Sequence, residues 1–513
     1  MPSILANTNG VATETNCVTK HVNGVISGSH SVASTSRAHL DLPRFGLDDT
    51  LETSYPTNSL QFLQRLGPKA PQNGDGLDLS LNVTKTRLNV VIVGAGLGGL
   101  AAAVALSRSG HGVVVLEQAP KLGEVGAGIQ IPPNSARLLR RWGVFKHLEQ
   151  AALQPDAIFF RRWANGNVIG LTDLGAEYVE NFGSKYYVVH RADFHDALYK
   201  RAIELGVTVR LDSKVTKYVD KAAVTLEDGS IVKGDLVIAA DGIKSLARQI
   251  VQPGDECNPR PTGFAAYRAT VDVEKIKSDP EISWLLEKPA LNIWIGEDRH
   301  VMTYTIASGR SFNMVLSHRD NSDPTTWSQD TALEDMRKEF DGWDPKLTKI
   351  ISFIESCLKW PLMSGVSMKT WVSMADRVVI MGDAAHPMVP YMSQGAGMAV
   401  EDGAALAVVL SRMASIEELP FALSVYEEER IKRSGDMQRA SMVNGLIWHF
   451  PDGPEQEARD ANMRLEVEGK AFSWSANQWS DPVTQWWAYG YDAETAVGRR
   501  WDRKVSELIK ASF

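Results

Sequence analysis

Residues 88–117 read LNVVIVGAGLGGLAAAVALSRSGHGVVVLE. An apolar strand, Leu88–Val93, runs into Gly94-Ala95-Gly96-Leu97-Gly98-Gly99. An alanine-rich helix follows, then a second apolar strand, Val113–Leu116, closed by Glu117. Strand, glycine turn, helix, strand and terminal acid together make a dinucleotide-binding βαβ unit. Gly94 permits the tight turn, Gly96 lets the backbone approach a pyrophosphate, and Gly99 lets the helix pack close to the strand. The helix N-terminus offers unpaired N–H groups and a positive dipole end to phosphates. Glu117 is placed to accept hydrogen bonds from a ribose diol. The competing reading, a glycine-rich turn of some other α/β protein, does not require an acid at this distance.

Two further strand ends carry the same grammar. Residues 235–242 read DLVIAADG, a buried strand ending in Asp241-Gly242. Arg377–Met381 reads as another buried strand, followed by Gly382-Asp383-Ala384-Ala385-His386-Pro387. Ligands of open α/β sheets sit at the carboxyl ends of strands. Three such ends at one crevice suit a long, extended cofactor better than a nicotinamide dinucleotide alone.

Around these motifs the chain changes texture. Residues 1–86 are rich in Ser, Thr, Asn and Gly, so a disordered or weakly ordered extension is expected, with a short helix near Ser59–Leu66. Asn134 is expected to cap a helix running to Trp142, and Asp193 one stopped at Gly206. Residues 259–370 are β-rich and read as a sheet lobe, the substrate-binding lobe on the resemblance given below. They interrupt a discontinuous nucleotide domain formed by 87–258 and 371–450. Helical texture dominates from Gly395, and 451–513 form a tail rich in tryptophan (Trp474, Trp479, Trp486, Trp487). The expected fold class is α/β: a Rossmann-like domain, an inserted β-rich lobe and a helical C-terminal part.

Composition narrows the partners. A chain of 513 residues that is 44% hydrophobic can bury a large core. Its net charge of -8 gives no basic excess for nucleic acid or an anionic membrane. No apolar run of membrane-spanning length occurs, and the N-terminus lacks the basic and apolar regions of a secretory signal. Its Ser/Thr content makes a transit peptide conceivable, but basic residues are too few to support one. Three dispersed cysteines, Cys17, Cys257 and Cys357, argue against a disulfide framework or a structural zinc site. They point to a reducing compartment, the cytoplasm.

On Gly94/Gly96/Gly99 with Glu117, Asp241-Gly242, and Gly382-Asp383 followed by Gln394-Gly395-Ala396, the chain resembles the FAD-dependent class A aromatic monooxygenases. The type members are the para-hydroxybenzoate and salicylate hydroxylases, and the resemblance covers roughly residues 88–450. GAGIQIPPN at 126–134, HR at 190–191, AYR at 266–268 and the PDG…ARD run at 451–460 look like the fungal salicylate-hydroxylase-like branch, many of whose members serve secondary metabolism.

The resemblance implies non-covalent FAD. Glu117 would meet the adenosine ribose, and Ala127 and Gly128 would lie along the cofactor. Arg191 would sit near the pyrophosphate and flavin, and Asp241 near the pyrophosphate and the path of the nicotinamide cofactor. Asp383 would hold the ribityl chain. Ala396 would open the helix facing the flavin N1–C2 edge, where a positive dipole end stabilises the reduced, anionic ring. His386 is read as structural. For the others the plain alternatives are a solvated Glu117, an ordinary loop at 127–128, an Arg191 salt bridge to Asp193 or Asp196, and a strand-end cap at Asp241.

The implied cycle is reduction of FAD by NADPH or NADH, reaction with O2 to a flavin C4a-hydroperoxide, and attack on it by an electron-rich aromatic ring. Arg268 and Tyr304, on strands of the inserted lobe, match positions that flank phenolic substrates in fungal relatives. An arginine can stabilise a phenolate or pair with a carboxylate, and a tyrosine can hold the phenolate oxygen. A structural ion pair and ordinary strand packing are the respective alternatives. The tryptophan tail is read as packing, with a homodimer seam as the other use. Three further classes compete with this reading: an FAD oxidase or dehydrogenase without oxygen transfer, a non-catalytic flavin fold, and a plain NAD-dependent dehydrogenase. The last leaves 382–396 unexplained.

Overall fold

The computed structural model describes residues 40, 42–45, 84–123, 127–254 and 256–511. The short helix read near Ser59–Leu66 and residues 124–126 lie outside the described residues.

The first strand, Asn89–Val93, is rich in β-branched residues and is buried from Val90 to Val93, as expected of a central parallel strand. It stands in the middle of a five-stranded parallel sheet. The order is Val378–Ile380, Leu236–Ala239, Asn89–Val93, Gly112–Leu116, Thr208–Arg210. All three motif-bearing strands are therefore neighbours, ending on the same side. Helix Leu97–Arg108 covers the sheet, and helix Gly395–Arg412 packs onto it. The two can approach because Gly403 faces backbone: a Cβ built there would lie 2.9 Å from Ala102 Cα.

The second sheet has seven strands. Their order is Leu358–Ser364, Arg260–Asp272, Ser311–Arg319, Arg299–Ile306, Ala290–Gly296, Ala157–Arg162, Val168–Asp173. All neighbours are antiparallel except Ala290–Gly296 with Ala157–Arg162. The last two strands lie upstream of residue 259, so the sheet reaches beyond the inserted lobe as read from sequence. The turn-separated alternation of 155–190 marks strands but does not say which sheet they join. One face of this sheet packs on helices Ala332–Glu339 and Pro345–Ser352 through Tyr267, Trp294, Val301 and Phe340. The opposite face carries Ile293, Met302 and Tyr304 and meets helix Leu419–Trp448 and the tail.

Two helix starts differ from the sequence reading. Helix Pro133–Arg141 begins after Pro132, and Asn134 lies inside it with its side chain committed elsewhere. Helix Arg191–Glu204 is capped by His190, whose Nδ1 accepts from Ala192 N. Asp193 instead sits in the first turn, where its charge suits the dipole. Gly206, at φ +82°, ends that helix region as read.

The tail packs on the body. Arg137 donates to the carbonyls of Phe182, Tyr489, Gly490 and Tyr491, and Arg433 to those of Trp487 and Ala488. A short piece of the N-terminal extension joins it. Leu40 is buried, Arg44 reaches the Ser473 carbonyl at 2.5 Å and Asp481 at 2.7 Å, and Phe45 stacks on Trp487. For these residues the expectation of weak order gives way to a docked segment. Sparse apolar periodicity hid it, because the contact uses single side chains rather than an element.

Candidate active site

The three motifs meet. A Cβ at Gly94, where φ is +102°, would lie 2.4 Å from the Ala240 carbonyl oxygen. At Gly99 it would lie 2.0 Å from the Gly94 carbonyl oxygen and 3.4 Å from Ala240 Cβ. Gly94 is required by backbone on the neighbouring strand end and Gly99 by the carbonyl of its own turn. Gly98 and Gly382 both abut Ala399, at 3.1 and 3.4 Å, which joins the first and third motifs. Gly96 differs from all of these, for nothing lies within 4 Å of where its Cβ would be. That open space sits at the uncapped N-terminus of helix Leu97–Arg108, which has no acid in its first turn. Helix Gly395–Arg412, which contains Ala396, likewise starts without a side-chain cap or an early acid. Two positive helix ends are thus left for an external anion or dipole.

Glu117 fixes the turn. Its Oε2 accepts from Ala95 N at 2.8 Å and its Oε1 from Ala119 N at 2.9 Å. Asp241 accepts from Tyr218 Oη and Leu246 N through Oδ2, while Oδ1 is buried with no partner among the described residues. Asp383 is exposed. One residue that sequence reasoning missed ties the last two motifs: Arg248. Its guanidinium donates to the carbonyls of Ile243, Asp383 and Ala384 at 2.7, 2.6 and 2.7 Å. Only its place just after the Asp-Gly turn hinted at this.

A buried polar network supports helix Gly395–Arg412 from behind. Glu401 and Asp402 are completely buried. Arg430 bonds both, at 2.6 and 2.8 Å, and Arg433 and Asn134 also hold Glu401. Asp402 receives Gly382 N and pairs with His386 at 2.6 Å. Burial opposes the Asp402 charge, yet His386 and Arg430 hold its pKa down to about 2. His386 is therefore built into the scaffold beside Asp402. Asn134 also bonds Gln394, the residue that precedes the helix. The readable signal was Glu401-Asp402 within an otherwise apolar helix, since buried acids demand partners.

The Tyr304 face of the second sheet lies against this cradle. Strand Gly128–Ile131 pairs with Tyr187–His190, setting Gly128 beside His190, and Ala127 O accepts from Arg191 N at 3.0 Å. Ala127, Gly128 and Arg191 are thereby grouped. A Cβ at Gly128 would lie 2.4 Å from the Tyr304 ring, and Gly128 N donates to Asn313 Oδ1 at 2.8 Å. Tyr304 is thus pressed directly under the loop. Burial raises its pKa, with Arg268 and Gln130 opposing. Burial lowers the pKa of Arg268, Tyr304 raises it and Arg191 adds to the lowering. Among the described residues no carboxylate pairs with Arg268, so the structural ion pair does not account for it. Asn313, opposite Tyr304, escaped the sequence reading, and its Nδ2 is buried without a partner among the described residues.

A crevice built of parallel strand ends, glycine turns and two open helix ends defines a flavin- or dinucleotide-binding oxidoreductase. A family model described as an FAD binding domain matches residues 87–441. The chain is 38% identical to the FAD-dependent monooxygenase OpS4 of Beauveria bassiana, over 79% of this chain and 95% of that protein. It is 33% identical to 3-hydroxybenzoate 6-hydroxylase 1 of Aquipseudomonas alcaligenes, over 78% and 97%. Among solved structures, CtdE in complex with FAD and substrate 4 matches with a TM-score of 0.68 at 26% identity, covering 83% of this chain and 100% of that one. A salicylate hydroxylase substrate complex matches with 0.65 at 25%, covering 82% and 98%. The chain belongs to the family of FAD-dependent aromatic monooxygenases.

The cradle fits FAD. Gly96 leaves the room a pyrophosphate needs, and the two helix ends lack internal caps. No helix among the described residues is long and apolar enough to cross a membrane.

Proposed function

We propose that this monooxygenase uses NADPH or NADH and O2 to hydroxylate a phenolic, salicylate-like or polyketide-derived aromatic substrate, in fungal secondary metabolism. The observation that carries the reading is Arg268. It is a largely buried cation with no acidic partner among the described residues, on the sheet face that also presents Tyr304 to the flavin loop. An unpaired buried guanidinium is costly unless an anion arrives. A phenolate or ring carboxylate is such an anion.

In this reading bound FAD supplies the redox chemistry and oxygen activation. Gly94, Gly96, Gly99, Glu117, Asp241, Asp383 and the Ala396 helix end bind and orient it, with Ala127, Gly128 and Arg191 flanking. Arg268 favours the ionised ring, which is the more electron-rich form. Tyr304, held protonated by burial, donates a hydrogen bond rather than taking a proton. The fungal setting is supported by the similarity to the Beauveria protein.

The test is a visible spectrum of the purified protein, then NADH and NADPH oxidation with a panel of phenolic acids and resorcylic aldehydes. A flavin spectrum with substrate-stimulated oxidation and a hydroxylated product is expected. A flavin spectrum with peroxide release alone for every phenol would overturn the substrate assignment.

A further inference from the structure

The edge strand Leu358–Ser364 runs beside Arg268, and its register fixes which side chains share the substrate face. Arg268 is opposite Leu358, and Ala266 is opposite Trp360. Directly opposed residues of an antiparallel pair project to one face. The alternate residue confirms the assignment: Lys359 points the other way, over Tyr267 and Trp327 and onto Asp320. Leu362 packs with the core on the Tyr304 side. Leu358, Trp360 and Leu362 therefore continue the face that carries Arg268 and Tyr304, out to the open edge of the sheet.

Two of these three are not covered. Leu358 is 40% exposed and Trp360 49% exposed, although they adjoin a largely buried arginine. A tryptophan and a leucine left half open at the rim of a site offer apolar surface that a ligand leaving the site would cover. The direction is also fixed. Arg268 lies two strands from Tyr304 and one from the edge, so a ring between the first two has only the edge strand beyond it.

We infer that Leu358 and Trp360 form an apolar shelf that receives an alkyl or polyketide-type side chain on the substrate ring. The substrate class is then a phenolic ring with an apolar substituent on the side away from the flavin loop. This rests on the phenol-hydroxylating reading and deepens it: Arg268 recognises the ionised ring, and the shelf selects for the chain. Both shelf residues act through contact with the substituent alone, so they determine specificity without taking part in the chemistry.

The test uses the FAD-loaded full chain and 2,4-dihydroxybenzoates bearing a methyl, propyl or pentyl group. Binding is read from perturbation of the flavin absorbance, and turnover from kcat/KM. Full burial of a methylene is worth about fourfold in affinity, so a half-open shelf should give about twofold per methylene. Trp360→Ala and the Leu358→Ala/Trp360→Ala pair should flatten that slope while leaving the unsubstituted ring unchanged. An unaltered slope in both variants, or no slope in the unmodified protein, overturns the shelf and leaves the phenol reading standing. Failure of every dihydroxybenzoate to bind overturns both.

Discussion

The cofactor cradle and the substrate face solve recognition in opposite ways. The cradle is made of backbone: glycines excluded from having a Cβ by a neighbouring carbonyl, open helix ends, and one arginine gripping carbonyls. The substrate face is made of side chains on a regular sheet, with Arg268, Asn313 and Tyr304 among apolar neighbours. Backbone recognition constrains sequence at fixed spacings and tolerates no substitution. Side-chain recognition leaves the strand pattern intact and can be re-tuned one residue at a time. The cradle should therefore fail through loss of cofactor or fold, and the face through loss of turnover with the cofactor still bound.

Gly94→Ala presses this contrast hardest. At φ +102° with a carbonyl oxygen 2.4 Å from the new Cβ, the turn must move. Purified variant should carry little or no flavin, and a fully yellow, stable protein would break the account of the cradle. Arg430→Met comes next. It leaves Glu401 and Asp402 buried without their shared cation, which costs about 3–5 kcal/mol of stability. Denaturant melting should show that loss, and a neutral result would mean that Arg433 and His386 suffice.

Arg268→Ala should lower kcat/KM for phenolic acids about 100-fold, in line with loss of a charge-assisted contact, while FAD content is unchanged. Arg268→Lys should recover only part of it, because lysine lacks the planar fork. Equal loss of flavin in both variants would erase the division between cradle and face.

The His300–His449 pair gives a smaller, pH-dependent effect. The rings hydrogen-bond at 2.9 Å, and burial lowers His300 from 6.5 to about 3 and His449 well below its ordinary value. Below pH 6.5 the unfolded chain binds protons that the folded chain refuses. Stability supplied by the neutral pair is therefore full above that pH and is lost as pH falls toward 3. Melting temperature should decline between pH 6.5 and 4, and His300→Asn should flatten the decline. Arg44→Ala should be the mildest change, roughly 1 kcal/mol, because Asp481 keeps its bonds from Ser475 N, Thr484 N and Thr484 Oγ1 when the guanidinium is lost. Limited proteolysis of the tryptophan tail would detect the loosened segment.

The same contrast explains what the sequence disclosed. The turn positions Gly94, Gly99 and Glu117 were legible because backbone geometry ties each to a fixed offset from a strand. The strands Ala157–Arg162 and Val168–Asp173 were legible as strands but not as members of this sheet, because the first joins it through Ala290–Gly296, 130 or so residues away, and the second only through the first. Asn134 and Asp193 were misread as caps because Asn and Asp at helix starts suit either a cap or a first turn, and Pro132 and His190 took the cap. Arg248, Asn313 and the Arg430 network act through long-range contacts that no spacing reveals. The docking of Arg44 and Phe45 is legible only once the tail they touch is in place.

In the proposed reaction one atom of O2 enters an aromatic ring held against Arg268. Turnover under heavy-isotope O2, with mass analysis of the product from a phenolic acid that stimulates NAD(P)H oxidation, tests it most directly. One labelled oxygen atom is expected in the product of the unmodified protein, and about 100-fold less labelled product from Arg268→Ala, which should still hold FAD. An oxidised but unlabelled product, or label that persists at full yield in the variant, would contradict it.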